Sequence, residues 1–205
     1  MIIVQEVKTK KGMRTFADYP FRLYKDNPCY VPSFRSDEEN IADPKKNPNL
    51  EDCEIRCFLA YKDGRLARRI AGIIQKKYNK VSGRRCIRFS RFDCIDDEQV
   101  AAALLKAVED YGREKGMDTI HGPWGFNDQD REGLLTYGFD RRATYCTNYN
   151  YPYYEKLVKS QGFTDESEWP DYVLVNPDKV CERIARIADR LKDKFKVREV
   201  ADDGP

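Results

Sequence analysis

Between Cys86 and Gly122 the hydrophobic pattern changes from a strand period to a helix period and back again. Alternate residues of 86–95 form two series, one for each face of a strand, and they include aromatic side chains and the β-branched Ile87. This pattern is typical of a partly buried strand. Residues 117–121 resume an extended pattern. A crossover of this length predicts two parallel strands with the intervening helix packed on one face of their sheet.

The intervening segment predicts an amphipathic helix. Its apolar residues recur along one helical stripe, as Val100, Leu104, Ala107, Val108 and Tyr111. Asp96 or Asp97 is the predicted N-cap, and Gly116 is the predicted stop. We expect any functional site of this unit to lie where the first strand meets the start of the helix.

The other segments predict a mixture of strands and helices. A strand is expected at 2–7, followed by a helix at 9–24 with Thr9 as cap and a break or a second start at Pro20. The remaining predicted elements are a hairpin at 54–78, helical turns at 132–137, an extended segment at 144–148, a helix at 153–161, a strand at 169–175 and an amphipathic helix at 178–195. The resulting fold class is α/β (α+β), with a mixed central sheet flanked by helices.

One long segment, residues 26–52, predicts no regular structure because it is rich in Pro, Asp, Asn and Ser. Long loops within compact domains are often lids or binding loops, and disorder is the other interpretation. The sequence leaves both open.

Composition narrows the class of protein. The chain has 205 residues, 40% hydrophobic and 35% charged, with a net charge of +2 and a mean hydropathy of −0.77. We therefore expect a soluble protein of about one domain that binds neither nucleic acid nor membrane. Seven scattered cysteines, an odd number, and the early charges of the N-terminal residues favour reduced thiols in the cytoplasm. Cys53 and Cys57 lack a second ligand pair, so we expect no metal.

Two stretches carry a family resemblance. GFNDQDREGLLTYGFD (125–140) and TNYNYPYYEKLVKSQGF (147–163), together with the order of elements, resemble the GNAT (GCN5-related N-acetyltransferase) superfamily. They look closest to the N-terminal half of an uncharacterised bacterial GNAT-like family. The resemblance covers about residues 1–175 and implies that 176–205 is either the start of a second GNAT-like half or a peripheral helix. A truncated chain and a shorter relative are both compatible with it.

The resemblance implies acyl transfer from acetyl-CoA or another acyl-CoA to a small-molecule amine. In that superfamily a glycine-rich turn between strand and helix holds the pyrophosphate, because its backbone N–H groups can approach the phosphates. The corresponding cofactor-binding positions here are Phe92, Asp93, Cys94, Ile95, Gln99 and Val100. The glycines are absent, and Asp96, Asp97 and Glu98 place negative charge where a pyrophosphate would bind.

Catalytic groups are assigned by the same resemblance. A tyrosine that protonates the departing thiolate often lies four residues before the Gly-Phe that ends the late helix, and Val158 occupies that position here. The usual tyrosine is thus absent, and Tyr153 and Tyr154, about one turn earlier, are the predicted acids. Asp128 is the predicted base, with Asp93, Asp130 and His121 as alternative bases. His121, Asn127, Asn148 and Asn150 are the predicted substrate pocket, although His121 is also explained as a packed strand residue.

Two functions remain open at this stage. The first is an N-acyltransferase with a degenerate pyrophosphate-binding turn. The second is a catalytically silent GNAT-shaped binding or scaffolding domain that supports a second GNAT-like domain, a partner chain or a homodimer. The missing glycines favour the second function, and the fold-level analogy favours the first.

Overall fold

A computed structural model describes residues 1–175 and 181–196 of the chain. The chain forms two compact units, Met1–Thr164 and Asp165–Pro205. The first contains the whole sheet, and the second contains one described helix.

The first unit is built on one five-stranded mixed sheet. Its strands lie in chain order, and the first four pair antiparallel. They are β1 (Ile2–Glu6), β2 (Cys53–Lys62), β3 (Arg65–Gln75), β4 (Cys86–Cys94) and β5 (Thr119–His121). β4 and β5 pair parallel across a helical crossover, residues 98–114, which confirms the predicted strand–helix–strand unit.

The described residues contain six helices, of which the last lies in the second unit. They are α1 (Lys10–Leu23), α2 (Arg35–Glu39), α3 (Lys76–Ser82), α4 (Glu98–Glu114), α5 (Tyr153–Lys159) and α6 (Glu182–Leu191). The side chain of Thr9 caps α1, and that of Asp97 caps α4, so both predicted caps are confirmed. A 3-10 turn, Pro48–Glu51, precedes β2, and with α2 it corrects the prediction that residues 26–52 have no regular structure. Among the described residues, no helix is both long and apolar enough to cross a membrane.

Two hydrophobic clusters lie on the sheet. The first joins α4 and α5 to the strands and includes Phe89, Val100, Leu104, Val108 and Leu157. The second joins α1 to the strands and includes Phe16, Ile41, Cys57, Leu59 and Ile73. The sheet is therefore covered on both faces, and the charged side chains that remain inside require partners.

Several local predictions are wrong, and one is incomplete. Helix α1 continues through Pro20, and the segment after β3 is the helix α3 rather than more strand. Residues 132–137 are irregular, and the amide of Asn150 bonds both Leu135 N and Leu135 O there, which satisfies that backbone without a helix. Residues 144–148 are also irregular, and Thr144 and Thr147 bond to each other in a turn. Residues 169–175 form no strand, and most of their large side chains are exposed. The predicted closing helix at 178–195 is present as α6, whereas residues 178–180 and 197–200 lie outside the described residues.

Gly122 gives a first prediction, because its backbone crosses β4 at close range. Its φ is 147°, and a Cβ there would lie 2.4 Å from Phe89 O. We expect Gly122→Ala to lower the free energy of unfolding by about 2–3 kcal/mol, measured by urea denaturation. The control is Gly116→Ala, which has a φ of 75° and no atom near the new methyl, and which should cost about 1–2 kcal/mol. Equal losses for the two variants would contradict the steric argument.

Candidate active site

The candidate site lies where β4 and β5 stop pairing. β5 pairs only with Cys86–Arg88, and Trp124 N then donates to Phe89 O at 2.8 Å. Residues 90–94 of β4 have β3 on one edge and, among the described residues, no strand on the other. The backbone groups of that free edge must therefore bond to side chains, water or a ligand.

A β-bulge in β4 faces this divergence. Arg91 and Phe92 lie opposite the single residue Ile70 of β3, and Arg91 has a φ of 49°. A bulge adds one residue to a strand and redirects its side chains. Here it sends Phe92 into the core and Arg91 to the carboxylates of Glu38 and Asp130.

A cavity of about 60 Å³ lies at the divergence, which is room for a few water molecules. Its walls come from β4, from the loop after β5, and from α5 and the segment before it. The lining is charged and aromatic, and it includes Glu38, Arg69, Arg91, Asp93, Asp130, Arg131, Tyr30, Tyr149 and Tyr154. Convergent ionisable groups in one cavity are characteristic of a binding or catalytic site.

A buried network of ion pairs forms one wall. Arg69 Nη1 bonds Glu38 Oε2 at 2.6 Å, and Arg69 Nε bonds Asp93 Oδ2 at 2.7 Å. Arg91 Nη1 bonds Asp130 Oδ2 at 2.8 Å, and Arg91 Nε lies 3.3 Å from Glu38 Oε1. Burial alone would raise the pKa of Glu38, but Arg69 and Arg91 together hold it below its ordinary value. Two guanidinium groups thus share three carboxylates at the edge of the cavity.

Helix α1 contributes to this network through its proline. Pro20 has no N–H to donate to the carbonyl oxygen of Phe16, four residues earlier. Arg69 Nη1 donates to that oxygen at 3.2 Å and its guanidinium lies over the Phe16 ring. The proline therefore leaves an acceptor for a buried arginine without ending the helix.

A chain of hydroxyl groups crosses the site from the end of β4. Cys94 N donates to the hydroxyl of Tyr154 at 2.7 Å, and the Tyr154 and Tyr24 hydroxyls are 2.9 Å apart. Tyr24 donates to Asp93 Oδ1 at 3.2 Å. Burial raises the pKa of both tyrosines well above the ordinary value, so both remain protonated. Tyr153 instead donates to Cys94 O at 2.8 Å.

The first turn of α4 follows the end of β4 in the chain. Asp97 caps the helix and pairs with Lys62, and Glu98 pairs with Lys156 at 2.9 Å. Beneath the cap, Arg68 is fully buried and donates to Asp97 O at 2.6 Å. Arg68 Nε and Nη2 have no hydrogen-bond partner within the part of the chain that the structure describes. Buried N–H groups of a cation without acceptors are costly, and they can be satisfied by an anionic ligand.

The predicted site residues fall into two groups. The cavity brings together Phe92, Asp93, Asp130, Asn148, Asn150 and Tyr154, whereas Tyr153 is not among its lining residues and bonds to Cys94 O. The others lie elsewhere. Cys94 and Val100 are buried, Ile95, Gln99, Asn127 and Asp128 are exposed, and His121 is half-buried in β5. Burial raises the pKa of the Cys94 thiol to about 12, so it is not a nucleophile in this form.

Sequence analysis missed Tyr24, Glu38, Arg68, Arg69 and Arg91. Glu38 lies in the segment 26–52, whose composition gives no sign of burial, and Tyr24 is explained from the sequence as a packing residue. The available signal was in β3, where Arg68 and Arg69 interrupt an otherwise apolar strand. Among residues 1–175 and 181–196, no three His, Cys, Asp or Glu side chains come together in a way that could hold a metal ion.

Comparison with solved structures identifies the fold. A predicted acetyltransferase from Clostridium acetobutylicum, solved with acetyl-CoA, matches 84% of this chain and 96% of its own, with a TM-score of 0.51 and 13% identity. The chain has the GNAT acyl-CoA N-acyltransferase fold. The fold class predicted from the sequence is thereby confirmed. No protein-family model matches the chain.

Two curated proteins are similar in sequence to this GNAT-fold chain. Protein YghO of Escherichia coli K12 is 29% identical over 198 residues, which are 96% of this chain and 50% of that protein. A bacterial ceramide synthase of Caulobacter vibrioides is 30% identical over 158 residues, 77% of this chain and 41% of that protein. The chain thus spans about half the length, or less, of these relatives.

Proposed function

We propose that this chain transfers an acyl group from an acyl-CoA thioester to an amine. The observation that carries the proposal is the cavity at the end of β4, whose lining includes both Asp93 and Tyr154. Amide formation requires a base for the amine and an acid for the departing thiolate, both within hydrogen-bond reach of the reacting atoms. The GNAT fold supports acyl-CoA as the donor.

Arg68 fits the anionic part of the donor. Its unpartnered Nε and Nη2 lie under the first turn of α4, where a helix N-terminus also favours negative charge. The carboxylates of that turn oppose an anion, but Lys62 and Lys156 offset two of them, those of Asp97 and Glu98. A side-chain guanidinium would then serve where other GNAT proteins use the backbone of a glycine-rich turn.

The acceptor belongs to the class of amines, and a long-chain amino alcohol is the first to test. The name of the Caulobacter relative describes the synthesis of ceramide, which is an N-acylated long-chain amino alcohol. The cavity volume of about 60 Å³ accommodates the reacting atoms rather than a long chain, so a long acceptor would extend out of it. A short amine is the alternative acceptor.

The direct test measures thiol release. The purified chain is mixed with acetyl-CoA or a long-chain acyl-CoA and with a panel of amines that includes a long-chain amino alcohol, and free CoA is followed by a thiol reagent. We expect release that requires both substrates, with an N-acylated product confirmed by mass spectrometry. Folded protein that neither binds acyl-CoA at millimolar concentration nor releases thiol would overturn the proposal.

Arg68→Met gives a prediction specific to donor binding. Hydrogen bonds to a charged group contribute about 1.5–3 kcal/mol, so we expect the Kd for acyl-CoA in calorimetric titration to rise about 10-fold to 100-fold. The free energy of unfolding should stay level or rise, because Met fills the space without unsatisfied N–H groups. Arg65→Met, at the exposed start of β3, is the matched control and should change neither quantity. An unchanged Kd in Arg68→Met would exclude this role for Arg68.

A specific observation favours a second function, a catalytically silent GNAT-fold domain. The first turn of α4 contains Asp96, Asp97 and Glu98 and no glycine, and the hydroxyls of Tyr153 and Tyr154 already satisfy the backbone of Cys94. In this proposal the chain corresponds to the N-terminal half of a longer protein and supports a second GNAT-like domain, a partner chain or a second copy. Light scattering of the chain alone and mixed with such a domain tests it.

A further inference from the structure

We propose that Tyr24 links Tyr154 to Asp93 so that the three groups store the proton of the acceptor amine and return it to the departing thiolate. The inference rests on the proposed acyl transfer and assigns roles within that site. Tyr24 lies at the end of α1, far in sequence from the other two residues, and only the fold brings it to them.

The hydrogen bonds have one consistent direction in the resting site. The Asp93 carboxylate can only accept, so the single hydroxyl proton of Tyr24 points to Asp93 Oδ1. The Tyr24 oxygen must then accept from Tyr154, whose hydroxyl proton has no other place in the chain. The Tyr154 oxygen accepts from Cys94 N with one lone pair, which leaves its second lone pair for a substrate in the cavity that Tyr154 lines.

That direction matches the first proton transfer. As the amine nitrogen bonds to the thioester carbonyl carbon, its N–H proton passes to the Tyr154 oxygen. The Tyr154 proton moves to Tyr24, and the Tyr24 proton moves to Asp93. Asp93 ends as a neutral carboxylic acid, and every hydroxyl in the chain now points the opposite way, from Asp93 through Tyr24 and Tyr154 to the cavity.

The reversed chain serves the second transfer. When the C–S bond breaks, the sulfur leaves with the electron pair and receives the Tyr154 proton. Tyr154 regains a proton from Tyr24, Tyr24 regains one from Asp93, and the resting arrangement returns. One proton leaves the nitrogen and one reaches the sulfur, so the amide and the free thiol form without net uptake or release. Nitrogen and sulfur bond to the same carbon, so one hydroxyl can serve both.

The surroundings suit transfer through the hydroxyls rather than ionisation of them. Both tyrosines are almost fully buried, so a tyrosinate would be unstable at either position. The charge therefore rests on Asp93, where Arg69 Nε holds Oδ2 at 2.7 Å and leaves Oδ1 to Tyr24. Stacking of the Tyr24 ring on Tyr30 and Tyr151, with centroids 4.3 Å and 5.1 Å apart, fixes the hydroxyl between its two partners.

Tyr24→Phe tests the link, with Tyr19→Phe as the matched control. Tyr19 is also a buried tyrosine of α1, and its hydroxyl donates to Ala67 O outside the proposed chain. We expect Tyr24→Phe to lower kcat about 100-fold with little change in KM, as for loss of acid–base catalysis. We expect a curved plot of kcat against the deuterium fraction of the solvent for the wild type and for Tyr19→Phe, because several protons move together, and a straight one for Tyr24→Phe.

The outcomes separate this inference from the proposed function. If Tyr24→Phe keeps the kcat of the wild type and gives a curved plot, the link is overturned and the proposed function is not affected. A wild type without turnover on any acyl thioester overturns the proposed function and the link with it. If Tyr24→Phe does not fold, proton NMR of the unliganded wild type decides. Slowly exchanging Tyr24 and Tyr154 hydroxyl protons with a mutual Overhauser contact support the link, and rapid exchange of either with water overturns it.

Discussion

Glu38→Gln is expected to lower the free energy of unfolding by about 3–5 kcal/mol. Glu38 is 4% exposed and its carboxylate pairs with both Arg69 and Arg91. The substitution keeps the shape of the side chain but removes the negative charge and turns one acceptor into a donor. Two buried guanidinium groups would then share only Asp93 and Asp130. Urea denaturation followed by circular dichroism measures the change.

Glu39→Gln is the matched control from the next position of α2. Its carboxylate pairs with Arg35 at 3.0 Å, and the Arg35 side chain is largely exposed. Exposed ion pairs contribute about 0–1 kcal/mol, so this variant should unfold almost as the wild type does. Similar losses in the two variants would contradict the assignment of Glu38 to a buried network.

The pH dependence of stability provides the second measurement on Glu38. Burial acts to raise its pKa, but the attraction of Arg69 and Arg91 prevails and the folded-state pKa lies below the ordinary value of 4.5. A carboxylate with a lowered pKa stabilises the folded state fully above its unfolded-state pKa and loses that contribution as the pH falls through the folded-state value. The stability difference between wild type and Glu38→Gln should therefore be constant near neutral pH and shrink below about pH 4.5. A difference that grows with acidification would be inconsistent with this sign.

The sheet and its crossover could be predicted because their signals are local. In residues 86–122 the hydrophobic period alone distinguishes strand, helix and strand. The same stretch of sequence contains Asp97, the cap of α4. Helix α1 shows the limit of local signals. Pro20 normally predicts a break, and the donor that replaces its missing N–H at the carbonyl oxygen of Phe16, Arg69, lies in β3.

The candidate site was harder to predict because its partners are distant in the chain. Asp93 could be named because it lies near the end of the predicted strand, and Tyr154 because it lies in the stretch that resembles the GNAT superfamily. Both residues line the cavity. The residues that bond to Asp93 and Tyr154, and so give them chemical roles, could not be named from the sequence. Tyr24 and Tyr154 are separated by 130 positions, and Glu38 lies in a segment whose composition indicates a surface loop. Such groups are recognised only once tertiary structure shows which buried charges they satisfy.

Asp93→Asn is expected to have the largest effect on turnover, a loss of about 10²-fold to 10⁴-fold in kcat. Asn can accept from Tyr24 but cannot take up a proton, so the hydroxyl chain would end without a base. Thiol-release kinetics on the folded variant measure the loss. Asp118→Asn, which removes a carboxylate from an exposed ion pair with Arg85, should retain wild-type turnover.

The basicity of the acceptor distinguishes loss of the base from loss of packing. Weakly basic amines give up a proton to water more readily once bonded to the carbonyl carbon, so they depend less on an enzyme base. The deficit of Asp93→Asn should therefore shrink along a series of acceptors of falling basicity. A merely disordered cavity would reduce turnover with every acceptor by the same factor, and that result would remove Asp93 from the chemistry. A graded deficit would place the proton on the carboxylate that Arg69 and Tyr24 hold between them.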